Sequence, residues 1–381
     1  MLKRYNCQCG NPVFFRNSTC LVCTTALGYD TKLGLLIPLE AGFEQGVWRR
    51  YGQGNTETKP AGLQFKDYWR CANLQTPAAC NWLIDIPEAS ANIYCLACRL
   101  NRTIPDLNDE MHPENGVYWG RVELAKRRML AGLYGLGLPV VSKFEDSVNG
   151  LAFDLISSQD SHTAILTGHD SGLITLNLQE ADDAIRESIR SAMGEPYRTL
   201  LGHFRHEIGH YFWDALVKRS TWLDAFRQLF GDESQNYAAS LQNNYMVGPP
   251  ENWWLNYVSS YAASHPWEDW AETWAHYLHM CDTLDTANSF GLTLNAKLLE
   301  FTPFTVDALY DPQEISAMSF LAFLNEWTEL TVLLNEMSRS MGQVDFYPFV
   351  LPNPVIAKLH FVHLVVQSGS NQTPSLPMQT S

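Results

Sequence analysis

The sequence predicts an α+β chain in three parts: a small cysteine-rich module, a short sheet and a mainly helical remainder. Three observations carry that expectation. Eight of the nine cysteines fall before residue 99. Short apolar or alternating runs, the pattern of buried and half-buried strands, lie upstream of residue 180. From Ala181 onward apolar residues recur at the spacing of helices with one face in a core.

The 381 residues allow one large domain and a smaller module, and 46% hydrophobic content with 12 Trp promises a substantial core. A net charge of −15 argues against a general binder of nucleic acid or anionic membrane. Residues 1–105 carry 11 Lys/Arg against 7 Asp/Glu, net +4, so the rest carries −19. That basic surplus disappears if two four-cysteine zinc sites form, each adding about −2. Nucleic acid is therefore not expected as a partner. No apolar segment follows Met1-Leu2-Lys3-Arg4 as a secretory signal would require, and no run nears the ~18 apolar residues of a membrane span. The expected compartment is the cytoplasm, without membrane attachment, where clustered cysteines read as metal ligands rather than disulfides.

The first element is a knuckle pair. Cys7-Gln8-Cys9-Gly10 is followed, ten residues on, by Cys20-Leu21-Val22-Cys23, with Val13-Phe14-Phe15 as a short strand between. Each tight turn presents two thiolates, and a structural Zn²⁺ replaces the core so short a segment cannot build. Residues 27–70 read as short strands and loops. Cys71, Cys80, Cys95 and Cys98 supply a second structural zinc, although ligands shared between the two groups remain an alternative. Cys281 lies in an apolar helical pattern and reads as core.

Residues 1–105 thus form one module, and residues 106–366 a second domain. That domain opens with a helix over Tyr118–Tyr134, on which Lys126-Arg127-Arg128 is expected to be a solvated face. Strands follow at Leu151–Ile156, Ala164–Thr167 and Leu173–Leu178. The last is expected to be a sheet edge able to pair with an extended peptide. His162 and His169 fall in turns, most simply as bystanders. After a helix from Ala181, Gly194-Glu195-Pro196 interrupts, and Pro196 suits the first position of the next helix.

That helix carries His206-Glu207-Ile208-Gly209-His210, an H-E-x-x-H pattern. Residues four apart share a helix face, so His206 and His210 can reach one Zn²⁺. Glu207 beside them can hold a water and take its proton. A hydrolytic zinc needs a third protein ligand and an open position. The helix starting at Pro266 offers Glu268, Glu272, His276 and His279 on roughly one face. His203 precedes the motif by about a turn, and a packed or exposed role suits it better than a ligand role.

H-E-x-x-H followed after 57 residues by Glu268-Asp269-Trp270-Ala271-Glu272 resembles the gluzincin metallopeptidases, above all their lethal-factor-like branch. The resemblance implies a zincin-like fold. It implies His206, His210 and Glu268 as metal ligands, Glu207 as general base and Tyr261 as oxyanion donor. Glu272 and Asp214 would support the ligands. The cysteine-rich N-terminus, with Gly194–His210 and Glu268–Tyr277, is similar to a bacterial family of zinc-binding metallopeptidases that carry an N-terminal zinc ribbon. That likeness extends to about residue 365 and implies a peptidase acting on a protein or peptide, with one catalytic and two structural zinc ions. The alternative is a non-catalytic, zinc-stabilised regulatory protein that binds protein or nucleic acid. The ribbon is a possible docking module for a protein partner.

Downstream, Asp311-Pro312 starts a helix expected to be buried over Ile315–Met337, and a last helix spans Val355–Val366. Residues 367–381, rich in Ser, Asn, Gln, Thr and Pro, are expected to be disordered.

Overall fold

A computed structural model describes residues 3–52, 66–86, 92–157, 167–193, 195, 197–292 and 302–370. The architecture mixes α and β, in two compact units: residues 1–135 with 140–189, and residues 136–139 with 190–381. This packing does not follow the sequence division at residue 105.

In the first unit, β1 (Tyr5–Asn6) and β2 (Pro12–Val13) form a small hairpin at the first cysteine group. Five strands then form an antiparallel meander in chain order: β3 (Ala26–Asp30), β4 (Leu35–Ala41), β5 (Trp48–Arg50), β6 (Asp67–Arg70) and β7 (Leu83–Asp85). Ile37, Leu39, Tyr68 and Leu83 form its core. Asp30 is buried there but not stranded, because Tyr68 donates to it at 2.6 Å and Lys66 at 2.7 Å.

A second sheet of four strands has the order β10 (Gly168–Asp170), β11 (Leu173–Asn177), β9 (Ala152–Ile156), β8 (Asn101–Thr103). β9 runs parallel to both its neighbours. The expected edge at Leu173–Leu178 is thereby overturned: β10 covers one side of β11 and β9 the other. The hairpin turn Ser171-Gly172, both at positive φ, folds β10 back onto β11, and Gly172 amide donates to His169 Nε2 at 2.9 Å. His169 therefore sits in a strand, not a turn. The strand expected at Ala164–Thr167 falls almost wholly outside the described residues, as does His162, and Thr167 is not in a strand.

Helix α1 (Asn115–Gly135) corrects a second expectation. Lys126 and Arg127 are buried. Lys126 Nζ donates to Glu123 Oε1 at 2.6 Å and also bonds Asn101 Oδ1. Arg127 donates to Ala78 carbonyl at 2.8 Å. The charges go inside because a buried carboxylate one turn earlier and an open backbone carbonyl compensate them, neither visible in the triplet itself.

The second unit is helical. After α2 (Asp183–Met193) come α3 (Leu200–Leu216), α4 (Leu223–Phe230), α5 (Tyr237–Val247), α6 (Pro266–Ser289), α7 (Ala317–Ser340) and α8 (Asn353–Ser370). Pro196 lies outside the described residues, and α3 starts at Leu200, where Thr199 Oγ1 accepts from Gly202 amide at 2.9 Å. α7 starts at Ala317 and buries one face, Phe320, Leu321, Leu324, Trp327 and Leu330. Ile315 is 98% exposed and Met318 67%, so the expectation of a wholly buried helix fails there. α8 continues through residues 367–370, which were expected to be disordered; residues 371–381 lie outside the described ones.

α3 packs on α6 through Gly209. A Cβ there would meet Ala271 Cα at 3.1 Å and the Trp274 side chain at 3.2 Å, and Trp270 Nε1 donates to Gly209 carbonyl at 2.8 Å. Ala is the better helix former by about 1 kcal/mol, yet Gly209→Ala should destabilise the protein by about 1–3 kcal/mol through overpacking. Urea unfolding measures this, and a neutral or stabilising result would show that the helices separate freely.

Candidate metal centre

His206 and His210 lie one turn apart on α3, ring centroids 4.9 Å from each other. Glu268 comes from the first turn of α6, where Pro266 occupies the N-terminal end and His265 caps it by accepting from Trp267 amide at 3.1 Å. The tight α3–α6 contact sets the Glu268 carboxylate against both imidazoles. Oε2 is 2.9 Å from His206 Nε2, and Oε1 is 3.5 Å from His210 Nε2. On a tetrahedral ion with bonds of ~2.0–2.1 Å, neighbouring ligand atoms sit about 3.4 Å apart. The three donors fit such an ion with little movement.

Hydrogen bonding and charge agree with that fit. His206 Nδ1 donates to Glu272 Oε1 at 2.7 Å, which turns Nε2 toward Glu268. Ser259 Oγ donates to Glu272 Oε2 at 2.6 Å and holds that carboxylate in turn. Glu268 Oε2 is buried and takes no hydrogen bond, so a lone pair is left for a cation. Burial opposes a charged His206, yet the neighbouring Glu268 and Glu272 carboxylates hold the imidazole well above its ordinary value. Burial would raise Glu268, but His210 and His206 hold its carboxyl well below the usual range. A buried cluster that holds positive charge this tightly is a site where a cation can replace a proton. Burial pushes the Glu207 carboxyl up, towards the range of a useful base at neutral pH.

The remaining expected residues divide. The Tyr261 ring lies 5.9 Å from the His206 ring, so it borders the site. Asp214, expected to support the site, pairs with Lys218 at 2.7 Å, just past the end of α3. His276 meets Tyr347 hydroxyl at 2.7 Å through Nδ1, and burial pushes its imidazole down to about 4. His279 Nδ1 accepts from Arg205 at 2.5 Å, and Arg205 also holds Asp282 at 2.8 Å. Those two histidines are parts of the helix packing.

Two contributors escaped the sequence. Tyr237 hydroxyl donates to Glu268 Oε1 at 2.6 Å. Lys358 of α8 donates to Asp269 Oδ2 at 2.6 Å and to Asn256 carbonyl at 2.8 Å, tying the turn that carries Glu268 to the C-terminal helix. Neither lies in a motif. The one local signal near Tyr237 is Asn236, which caps α5 by accepting from Ala239 amide at 3.0 Å.

The eight N-terminal cysteines gather into two groups of four, Cys7/Cys9/Cys20/Cys23 and Cys71/Cys80/Cys95/Cys98. No ligand is shared between them. Sulfur separations are 3.5 Å for Cys7–Cys23, 3.8 Å for Cys9–Cys20 and 3.6 Å for Cys80–Cys95. A tetrahedral ion with Zn–S bonds of ~2.3 Å asks for about 3.8 Å. All nine cysteines are free thiols. In the first group Asn11 Nδ2 donates to Cys9 Sγ at 3.3 Å, and Thr25 draws the Cys23 thiol down to about 6, favouring thiolate. In the second, Arg127 is raised by Cys80, Glu123, Cys98 and Cys95 against its own burial, so a guanidinium stands by to balance an anionic cluster.

Comparison with known proteins gives a consistent set of likenesses. Residues 115–365 match a family model described as "Putative zinc-binding metallo-peptidase", and residues 4–109 match one for a zinc-ribbon domain. Similar proteins in Mycobacterium tuberculosis and Mycobacterium bovis, each described as uncharacterised, are 40% identical over 368 residues, covering 96% of this chain and 95% of theirs. No solved structure matches. Among the described residues, no helix is long and apolar enough to cross a membrane.

Proposed function

Since the chain belongs to this zinc-binding metallo-peptidase family, we propose that it hydrolyses peptide bonds at a gluzincin-type site in a zincin-like domain, with His206, His210 and Glu268 as the zinc ligands. The observation that carries this reading is the convergence of two Nε2 atoms on the Glu268 carboxylate, beside a buried acid, Glu207. Zinc held there supplies Lewis acidity, lowering the pKa of water towards ~7 and polarising a carbonyl. Glu207 takes the proton from the attacking water and returns it to the leaving amine. Glu272 keeps His206 in the ligand tautomer and orientation. Tyr261, beside His206, donates its hydroxyl to the developing oxyanion. Two further zinc ions hold the cysteine groups as structural sites. The substrate is a protein or peptide, and the reduced thiols suit a cytoplasmic setting.

Metal analysis tests the ligand set. Wild type should carry about three zinc ions per chain and His206→Ala about two, because the cysteine sites do not depend on His206. An unchanged zinc count in the variant would overturn the assignment.

A further inference from the structure

We propose that Tyr237 is a positioning residue for the zinc site: its hydroxyl claims one oxygen of Glu268 so that the other alone binds the metal. This rests on the reading of Glu268 as a zinc ligand and extends it to a residue outside every recognisable motif.

The geometry is specific. Tyr237 is 38% exposed, yet its hydroxyl turns inward to a carboxylate that is 1% exposed. A phenol at a solvent boundary satisfies its hydroxyl with water at no cost, so packing does not require that inward turn. The ring is held by the end of α6 that carries the ligand, 5.2 Å from His265 and 5.6 Å from Trp267 between centroids. His265 fixes the same junction from the other side. Its Nδ1 accepts from Trp267 amide, which leaves Nε2 to donate to Gln235 carbonyl at 3.4 Å. The N-termini of α5 and α6 are thus clasped together, with the Tyr237–Glu268 bond at the centre.

The two carboxylate oxygens are not equivalent as a result. Once His206 Nε2 and His210 Nε2 serve a metal, their lone pairs are committed and neither can donate to Glu268. Tyr237 is then the donor in place for Oε1, while Oε2 takes no hydrogen bond and lies nearest His206 Nε2. One oxygen bonded to a phenol and one free favours monodentate ligation. That keeps the coordination number low and a position open, as a hydrolytic zinc site requires. Partners of this kind typically contribute 10–100-fold to metal affinity.

The test is zinc affinity in the full chain by competition with a graded series of chelators, for wild type, Tyr237→Phe and Glu268→Gln. Phenylalanine retains the ring contacts and deletes only the hydroxyl. Tyr237→Phe should weaken one zinc about 10–100-fold and leave the other two as in wild type. Glu268→Gln should lose that same zinc and keep two. If Glu268→Gln loses one zinc while Tyr237→Phe binds all three as wild type does, the positioning role is wrong and the ligand reading stands. Equal weakening of all three in Tyr237→Phe, or a fall in the unfolding midpoint of the zinc-stripped variant large enough to account for the loss, would reduce Tyr237 to a structural part and overturn the proposal. If Glu268→Gln keeps three zinc ions at wild-type affinity, the ligand reading itself fails and this inference falls with it.

Discussion

Replacing Glu207 with Gln should leave zinc content at the wild-type value and lower peptide hydrolysis by about 10²–10⁴-fold, the range for removal of a general base. The substitution keeps the volume of the side chain and its place on α3, between the two imidazoles in sequence. What it removes is the one group there able to take up a proton during attack. Burial raises the Glu207 carboxyl, which brings its basicity closer to working pH and makes an amide a poor substitute. The measurement pairs elemental analysis with cleavage of a labelled protein substrate at saturating zinc. Wild-type cleavage with wild-type zinc in the variant would rule out Glu207 as the base. Loss of zinc together with activity would mean that Glu207 holds the site together instead.

The largest expected effect on stability comes from Lys358→Met, at about 3–5 kcal/mol, the cost of breaking one side of a buried ion pair. Asp269 is wholly buried and Lys358 almost so, 2.6 Å apart. The ammonium also satisfies Asn256 carbonyl and lies over the Tyr257 ring, 4.4 Å from its centroid. Removing it leaves Asp269 in a site where burial already pushes its carboxyl up to about 7. Urea unfolding should show the loss. Adding Asp269→Asn to Lys358→Met should restore much of it, because no unpaired charge then remains. A single-variant cost under about 1 kcal/mol would show that water reaches the pair and that it contributes little. Asp269 follows Glu268 directly, so the pair also anchors the turn that carries Glu268.

Local chemistry was the legible part of this chain. Four-residue periodicity puts His206 and His210 on one helix face whatever surrounds them, and the structure has them there. The closely spaced cysteine pairs fold into knuckles because two thiolates in one turn leave the chain few other arrangements. Strand and helix positions followed from apolar periodicity, to within a few residues at the ends for β9, β11, α1 and α8, whereas α6, read as far as His279, runs on to Ser289. Failures came where a contact that the apolar pattern does not register decides the outcome. β11 lost its free edge because β10 returns along it through a two-residue turn. Lys126 and Arg127 went inside because Glu123, Asn101 and Ala78 meet them there. Asp214 turned to Lys218, four residues on, rather than to the ligands.

The sequence by itself determined that His206 and His210 share a helix face with an acid beside them, and that thiols come in close pairs at Cys7/Cys9, Cys20/Cys23 and Cys95/Cys98, since spacings of two to four residues constrain geometry without help from the rest of the fold; Cys71 and Cys80 join the last pair only through the fold. Helix periodicity alone left Glu268, Glu272, His276 and His279 open; the family resemblance pointed to Glu268, and the tertiary structure sets Glu268 against the histidines. All four lie on one helix, and the choice depends on where α6 crosses α3, which Gly209 permits by giving up its side chain. The crossing brings the first turn of α6 to Nε2 of both histidines and the second turn to Nδ1 of His206, so Glu268 meets both imidazoles and Glu272 stands behind His206. Tyr237 reaches Glu268 from another helix, 31 residues upstream. No spacing rule spans that distance, because long-range contacts arise from packing and not from the local geometry of the chain.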